Sequence, residues 1–125
     1  MTVDGRLSTL VPVEVVPKDG LFDYAARYTA GATEYYTPAR LDDAVLDTAC
    51  EVARTAHRVL GLRDVSRTDL VVDAAGTPWF LEVNVAPGMT ETSLLPQAVE
   101  AAGEDPAALY RAIVERALAE NAVRA

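Results

Sequence analysis

The stretch F-L-E-V-N-V-A-P-G-M-T-E-T-S-L, residues Phe80 to Leu94, starts as an apolar strand. It nevertheless sets a carboxylate (Glu82) and an amide (Asn84) two residues apart, then breaks at Pro87-Gly88. Strand side chains alternate between faces, so Phe80, Glu82 and Asn84 are expected on one side and Leu81, Val83 and Val85 on the other. Just upstream, Ser66 to Asp73 reads as a strand, Ala74-Ala75-Gly76 as a turn and Pro78 to Val85 as the returning strand. The first strand divides in the same way: Thr68, Leu70 and Val72 against Arg67, Asp69, Val71 and Asp73. Folding about Ala75 puts Asp69 opposite Glu82 and Arg67 opposite Asn84. A slip of one residue would mix apolar and polar faces, so the pattern selects this register.

The hairpin therefore carries two carboxylates, an amide and an arginine on one face. Carboxylates placed directly opposite each other repel, at a cost of roughly 0.2–1 kcal/mol. A divalent cation offers a reason to keep them, because Mg2+ takes carboxylate and amide oxygens together with phosphate. Spacing alone leaves two readings open: a solvated face or a cation site. The second half of the quoted stretch favours the latter. Ala86-Pro87-Gly88 ends the strand and a helix follows from Ser93 to Ala102, stopped by Gly103. Backbone N–H groups at a helix start attract anions, and a glycine lets the chain approach a ligand closely.

Working outward, Thr9 to Val16 is β-rich, with Pro12 marking an edge strand. Pro17 to Gly20 is a turn, and Leu21 to Tyr36 reads as an ordered loop with short strands, closed by Pro38. Asp42 to Leu60 is a helix with Asp42 as cap, an apolar stripe of Val45, Ala49, Val52, Ala56, Val59 and Leu60, and Gly61 as its stop. Asp105-Pro106 opens the last helix, whose buried face is Leu109, Ile113 and Ala117 and whose end frays from Asn121. No domain boundary is visible, so residues 1–125 are read as a single domain. His57, between Arg54 and Arg58, is expected on a solvated helix face, as are Glu115, Arg116 and Glu120. Cys50 is expected to be a small buried residue, Trp79 and the Tyr35-Tyr36 pair to pack locally, and Asp73 to serve the turn.

The chain has 125 residues, half of them hydrophobic, enough for one core. Its net charge of −8 argues against nucleic-acid and anionic-membrane partners. No apolar run approaches the ~18 residues of a membrane span, and Met1 to Leu10 lacks a leader pattern. One cysteine permits no internal disulfide, so a cytoplasmic location is expected. Lys18 is the single lysine.

The run R-T-D-L-V-V-D-A-A-G-T-P-W-F-L-E-V-N-V-A-P-G-M-T-E-T-S-L resembles the signature of D-alanine–D-alanine ligases, members of the ATP-grasp superfamily. D-Y-A-A-R-Y-T-A-G-A-T-E-Y, Asp23 to Tyr35, resembles an upstream block of that family. The resemblance implies an α+β fold, an antiparallel sheet with flanking helices, forming the C-terminal lobe of an ATP-grasp enzyme. It implies that Asp69, Glu82 and Asn84 hold two Mg2+ (or Mn2+) ions bridging ATP phosphates. It also implies that Arg67 and the Gly88 N–H stabilise charge on an acyl phosphate and the tetrahedral intermediate. By the same resemblance Ser93 and Leu94 hold the carboxylate of the second D-alanine, and Tyr28 closes a loop over the site. Arg27 stands where the family has a phosphate-contacting lysine, so a fork replaces a point charge. The implied partners are ATP and D-alanine, with peptidoglycan precursor synthesis as the context.

A whole ligase of this type is about twice as long or more. The lobe that positions the first D-alanine, the central ATP-contacting lobe and the adenine segment have no counterpart here. The chain is accordingly expected to be a partial domain that is not a competent ligase by itself. The alternatives are a truncated, non-catalytic module binding metal or nucleotide, a subunit whose partner or second chain supplies the missing lobes, and an ATP-grasp ligase joining other amino acids.

Overall fold

The computed structural model describes residues 2–3, 6–18 and 33–124, with side chains described for 6–18 and 33–120. Along the chain run β1 (Thr2–Val3), β2 (Arg6–Leu7), β3 (Glu14–Pro17), β4 (Thr33–Tyr36), α1 (Asp43–Val59), β5 (Arg67–Val72), β6 (Pro78–Asn84), α2 (Leu94–Ala101) and α3 (Pro106–Arg124). The strands form three antiparallel pairs, β1–β2, β3–β4 and β5–β6. The mixed α+β architecture follows the expectation from sequence, and α1 lies against the β5–β6 hairpin.

The hairpin turn is built by one side chain. Asp73 Oδ1 accepts the backbone N–H groups of Ala75 and Thr77, each at 2.9 Å, while Oδ2 accepts the Trp79 indole N–H at 2.9 Å. Those donors, the indole first, hold the Asp73 carboxyl below its ordinary pKa. Gly76 takes the positive φ (80°) that closes the turn. The register is the expected one at the charged end, with Arg67 opposite Asn84 and Asp69 opposite Glu82. It then shifts, and Leu70 faces Phe80. Leu81 is thus an extra residue, a β-bulge. The bulge corrects the strict alternation read from sequence. Phe80 leaves the charged face and joins Leu70 on the side of α1, where with Val52, Ala56, Val59 and Leu60 it lines a shallow apolar groove.

The helix α1 begins after Asp42, but that side chain makes no capping hydrogen bond. Its far end is a Schellman stop: Leu62 N–H reaches the His57 carbonyl at 3.0 Å, Gly61 N–H reaches Arg58 at 3.1 Å, and Gly61 has φ 61°. His57 is not solvated as expected; it is buried at 3% exposure, and its Nδ1 lies 2.8 Å from Ser66 Oγ. Cys50 is half-buried. Val59 and Leu60, the end of the expected stripe, are exposed.

A second cluster, Val65, Leu95, Val99 and Leu109, joins the segment before β5 to α2 and α3, with Leu10, Tyr110 and Ile113 packed against it. Asp105 Oδ1 caps α3 through Ala107 N–H at 2.9 Å. Ala117 is exposed, unlike the expected face, and α3 runs to Arg124. Arg116 and Glu120, expected to be free surface, pair with Asp64 and Arg63. They tie α3 to the loop that feeds β5.

Burial holds the His57 imidazole below the ordinary histidine value of 6.5. The unfolded chain therefore binds this proton first as pH falls, so the contribution is present above about pH 6.5 and is lost as pH drops through the lower folded-state value. The urea midpoint is expected to fall between about pH 7.5 and pH 5.5. That decline should be shallower in His57→Phe, and equal slopes in the two proteins would refute the assignment.

Candidate active site on the charged hairpin face

Four of the residues singled out from sequence converge at the open end of β5 and β6. Arg67 donates from Nε to Asp69 Oδ1 at 2.7 Å and from its terminal nitrogen to Oδ2 at 2.9 Å. Residues two apart on a strand share a face, and a guanidinium matches a carboxylate with two parallel bonds, so this pairing follows from the local sequence R-x-D. The two side chains retain 26% and 29% of their surface, partly screened but open to a ligand. The bonds to Asp69, and after them the charges of Asp69 and Glu82, hold the guanidinium above its ordinary pKa against the opposing effect of burial.

This geometry changes one step of the sequence reading. The Asp69–Glu82 repulsion has a protein counter-ion in Arg67, so repulsion by itself does not require a metal. What supports a cation is the donor set. Asp69 and Glu82 supply hard carboxylate oxygens, and Asn84 Oδ1 accepts one bond, from Ala86 N–H at 2.9 Å. A carboxylate offers about four lone-pair positions and Arg67 occupies two on Asp69, so oxygen capacity remains on all three side chains. That set fits Mg2+ or Mn2+, which complete their shells with water or phosphate. Among the described residues no group of three or more His, Cys, Asp or Glu side chains converges. The candidate set is two carboxylates and an amide.

The other half of the site is the loop into α2. Ser93 occupies the cap position with extended backbone, yet its hydroxyl makes no bond to the helix. Instead Ser93 Oγ accepts Thr90 N–H at 3.2 Å and lies 2.9 Å from Thr90 Oγ1, while Ser93 N–H donates to the Thr90 carbonyl at 2.8 Å. The helix start is left without a side-chain cap, as an anion-binding end requires. Leu94 is the first helical residue and half-buried. Gly88 runs directly past Ser93: a Cβ there would meet Ser93 Oγ at 2.6 Å. Gly88 and Ser93 are therefore neighbours in space, and Leu95, Pro96, Ala98 and Val99 anchor α2 behind them in the core. Arg27 and Tyr28 lie outside the described residues.

Besides the bulge and the α3 ion pairs, sequence reasoning missed two features. The first is the His57–Ser66 contact; a histidine between two arginines on an amphipathic helix gives no sign of it. The second is Glu14, which grips Arg40 through Nε and a terminal nitrogen, each at 2.9 Å, and through its backbone N–H at 3.1 Å. The Arg40 guanidinium also sits 3.4 Å from the Tyr36 ring centroid. These partners are 26 residues apart and no short motif joins them.

Comparison with known proteins identifies the family. Residues 1–115 match the family model described as D-ala D-ala ligase C-terminus. The chain is 46% identical over 101 residues to a D-alanine–D-alanine ligase of Anaeromyxobacter sp. (strain K), covering 81% of this chain and 32% of that protein. It is 42% identical over 116 residues to that of Magnetococcus marinus, covering 92% and 37%. Among solved structures it resembles a Bacillus anthracis D-alanine–D-alanine ligase complexed with ATP, with TM-score 0.71, 23% identity and coverage of 93% and 36%, a likeness of fold. It also resembles the VanG D-Ala:D-Ser ligase of Enterococcus faecalis, with TM-score 0.65, 30% identity and coverage of 82% and 29%. The chain spans about a third of the length of the curated relatives it matches.

The Gly88–Ser93 contact makes a direct prediction. Gly88→Ala should lower the thermal midpoint, because the new methyl group and the Ser93 hydroxyl cannot share the space. Adding Ser93→Ala should recover part of that loss, since the remaining approach, to Ser93 Cβ, is 3.3 Å. Calorimetric melting of the two variants checks this; no recovery would place the clash elsewhere.

Proposed function

We propose, from the premise that the chain belongs to the D-alanine–D-alanine ligase C-terminal family, that it is the ATP- and Mg2+-binding, catalytic lobe of an ATP-dependent carboxylate–amine ligase. The observation that carries this is the β5–β6 register, with Asp69 opposite Glu82, Arg67 opposite Asn84, and Arg67 locked to Asp69 by two bonds. In the proposed reaction the carboxylate of a first D-alanine attacks the γ-phosphorus of ATP, the bond to ADP breaks, and an acyl phosphate forms. The amine of a second D-alanine attacks the acyl carbon, gives up a proton, and expels phosphate to leave the dipeptide.

In this reading Arg67 has spent two of its five N–H donors on Asp69 and keeps three for charge developing on the acyl phosphate. The Gly88 N–H faces the tetrahedral oxyanion. Ser93 and Leu94 hold the carboxylate of the second amino acid at the start of α2, where the helix field favours an anion. Arg27 contacts phosphate and Tyr28 closes the site. Asp69, Glu82 and Asn84 would hold Mg2+, which would supply charge neutralisation for the phosphoryl transfer. Placing the reaction in cytoplasmic peptidoglycan precursor synthesis is part of the same proposal, as is the single-lobe organisation of residues 1–125.

One variant has an observation behind it. The 42–46% identity to D-alanine–D-alanine ligases favours D-alanine as the acceptor, and the 30% identity to a D-Ala:D-Ser ligase makes a different acceptor amino acid the second reading.

Titration of the chain with ATP, with and without Mg2+, tests the site. Asp69→Asn should remove the Mg2+-dependent part of the affinity. It should also cost about 1 kcal/mol of stability, because a partly buried guanidinium loses its charged partner. Unchanged Mg2+-dependent binding would sink the metal assignment. D-alanine-dependent ADP formation separates a self-sufficient enzyme, which turns over, from a lobe that needs a partner, which does not.

A further inference from the structure

We propose that His57 is a positioning residue: through Ser66 it fixes the start of β5, and with it the direction in which the Arg67–Asp69 pair faces. Among the described residues His57 is the buried polar side chain, at 3% exposure. It holds both ends of the connection between α1 and β5. Its main-chain carbonyl takes Leu62 N–H at 3.0 Å and closes the helix; its ring Nδ1 lies 2.8 Å from Ser66 Oγ at the far end of the loop.

The residues between are anchored one by one. Gly61 provides the left-handed turn, Asp64 also has positive φ (58°), Arg63 and Asp64 pair with Glu120 and Arg116, and Val65 is buried in the α2–α3 cluster. Those ties orient the loop toward α3. Ser66 is the residue that hands the chain from this loop to β5, and Arg67 follows it directly. A strand alternates faces residue by residue, so a twist at Ser66 turns the Arg67 side chain off the charged face. A buried, helix-borne ring is a rigid post for that handover, because Ser66 precedes the strand ladder, which begins at Arg67. The catalytic consequence rests on the role proposed for Arg67 above; the positioning link itself does not.

The test is hydrogen exchange of the Arg67 Nε–H, followed by nitrogen-15 NMR in the 125-residue chain. The Trp79 indole N–H, bonded to Asp73 at the turn of the same hairpin, serves as the internal control. Ser66→Ala and the volume-filling His57→Phe are expected to speed Arg67 exchange about fivefold relative to Trp79. His57→Asn, whose amide can stand in for Nδ1, should restore most of the protection. A purely structural role would open the whole hairpin and speed both signals together. That result, or unchanged Arg67 exchange, overturns the proposal. Should the His57 variants fail to fold, Ser66→Ala, which removes one oxygen from a half-buried site, decides the matter alone. Affinity for a dipeptide phosphinate, a mimic of the tetrahedral intermediate, measured with MgATP on the same variants, separates the two layers. Faster exchange with weaker binding supports both. Faster exchange with unchanged binding supports the positioning link and counts against the role given to Arg67.

Discussion

The register of β5 on β6 is the constraint from which the charged face derives. Strand side chains alternate with period two, so a shift of one residue would send Arg67 and Asp69 under α1 and bring Leu70 and Val72 to water. A free two-stranded hairpin is only marginally stable and could slip. This one is pinned at both ends. At the turn Asp73 accepts two backbone N–H groups and the Trp79 indole; at the open end the α1–β5 loop is fastened to α3 and to His57. The Leu81 bulge lets both demands be met. It keeps Glu82 and Asn84 on the charged side while sending Phe80 to the apolar side, which perfect alternation would forbid.

Much of this was legible because its causes are local. The pairing of Asp69 with Glu82 and of Arg67 with Asn84 followed from alternation plus a turn at Ala75, and the α2 start followed from Pro87, Gly88 and Ser93. Asp73 was readable as a turn residue because an Asx-type turn is written within five residues. The bulge was not legible: strand F-L-E-V-N alternates correctly on either side of Leu81, and only packing against α1 decides where Phe80 goes. The ties made by Arg116, Glu120 and His57 were illegible for a different reason. Each depends on where α3 or α1 lies relative to the loop before β5, nine residues along the chain for His57 and 57 for Glu120, and a charged helix face looks the same in sequence whether or not a partner reaches it. The expected site residues Arg27 and Tyr28 fall outside the described residues.

The electrostatic balance of the site bears on the proposed chemistry. Two carboxylates and one guanidinium leave the open end of the hairpin face at about −1, on a chain whose net charge is −8. Nothing in that long-range field draws in a nucleotide or an amino-acid carboxylate. Attraction has to be local, and among the described residues two sources are present: the Arg67 donors left over from Asp69, and the uncapped start of α2 beyond Gly88. The acidic oxygens repel phosphate unless a cation arrives with it. On the proposed reading, then, the ligand is the metal–nucleotide complex and not bare ATP.

The same logic gives the Arg67–Asp69 pair its double character. An arginine aimed at an anion must be held still before the anion arrives, or binding pays the entropy of ordering it. Asp69 holds it through two bonds on a strand, a stiffer mount than a loop. Holding it with a carboxylate also lowers the field that Arg67 can present, so the pair works only if something takes up part of the Asp69 charge when the ligand binds. The hard oxygens of Glu82 and Asn84 beside it supply a place for that charge to be shared with a cation. On the proposed reading, positioning of Arg67 by Asp69, a cation that would take up part of the Asp69 charge, and the Gly88 N–H would be parts of one arrangement, set by where β5 begins.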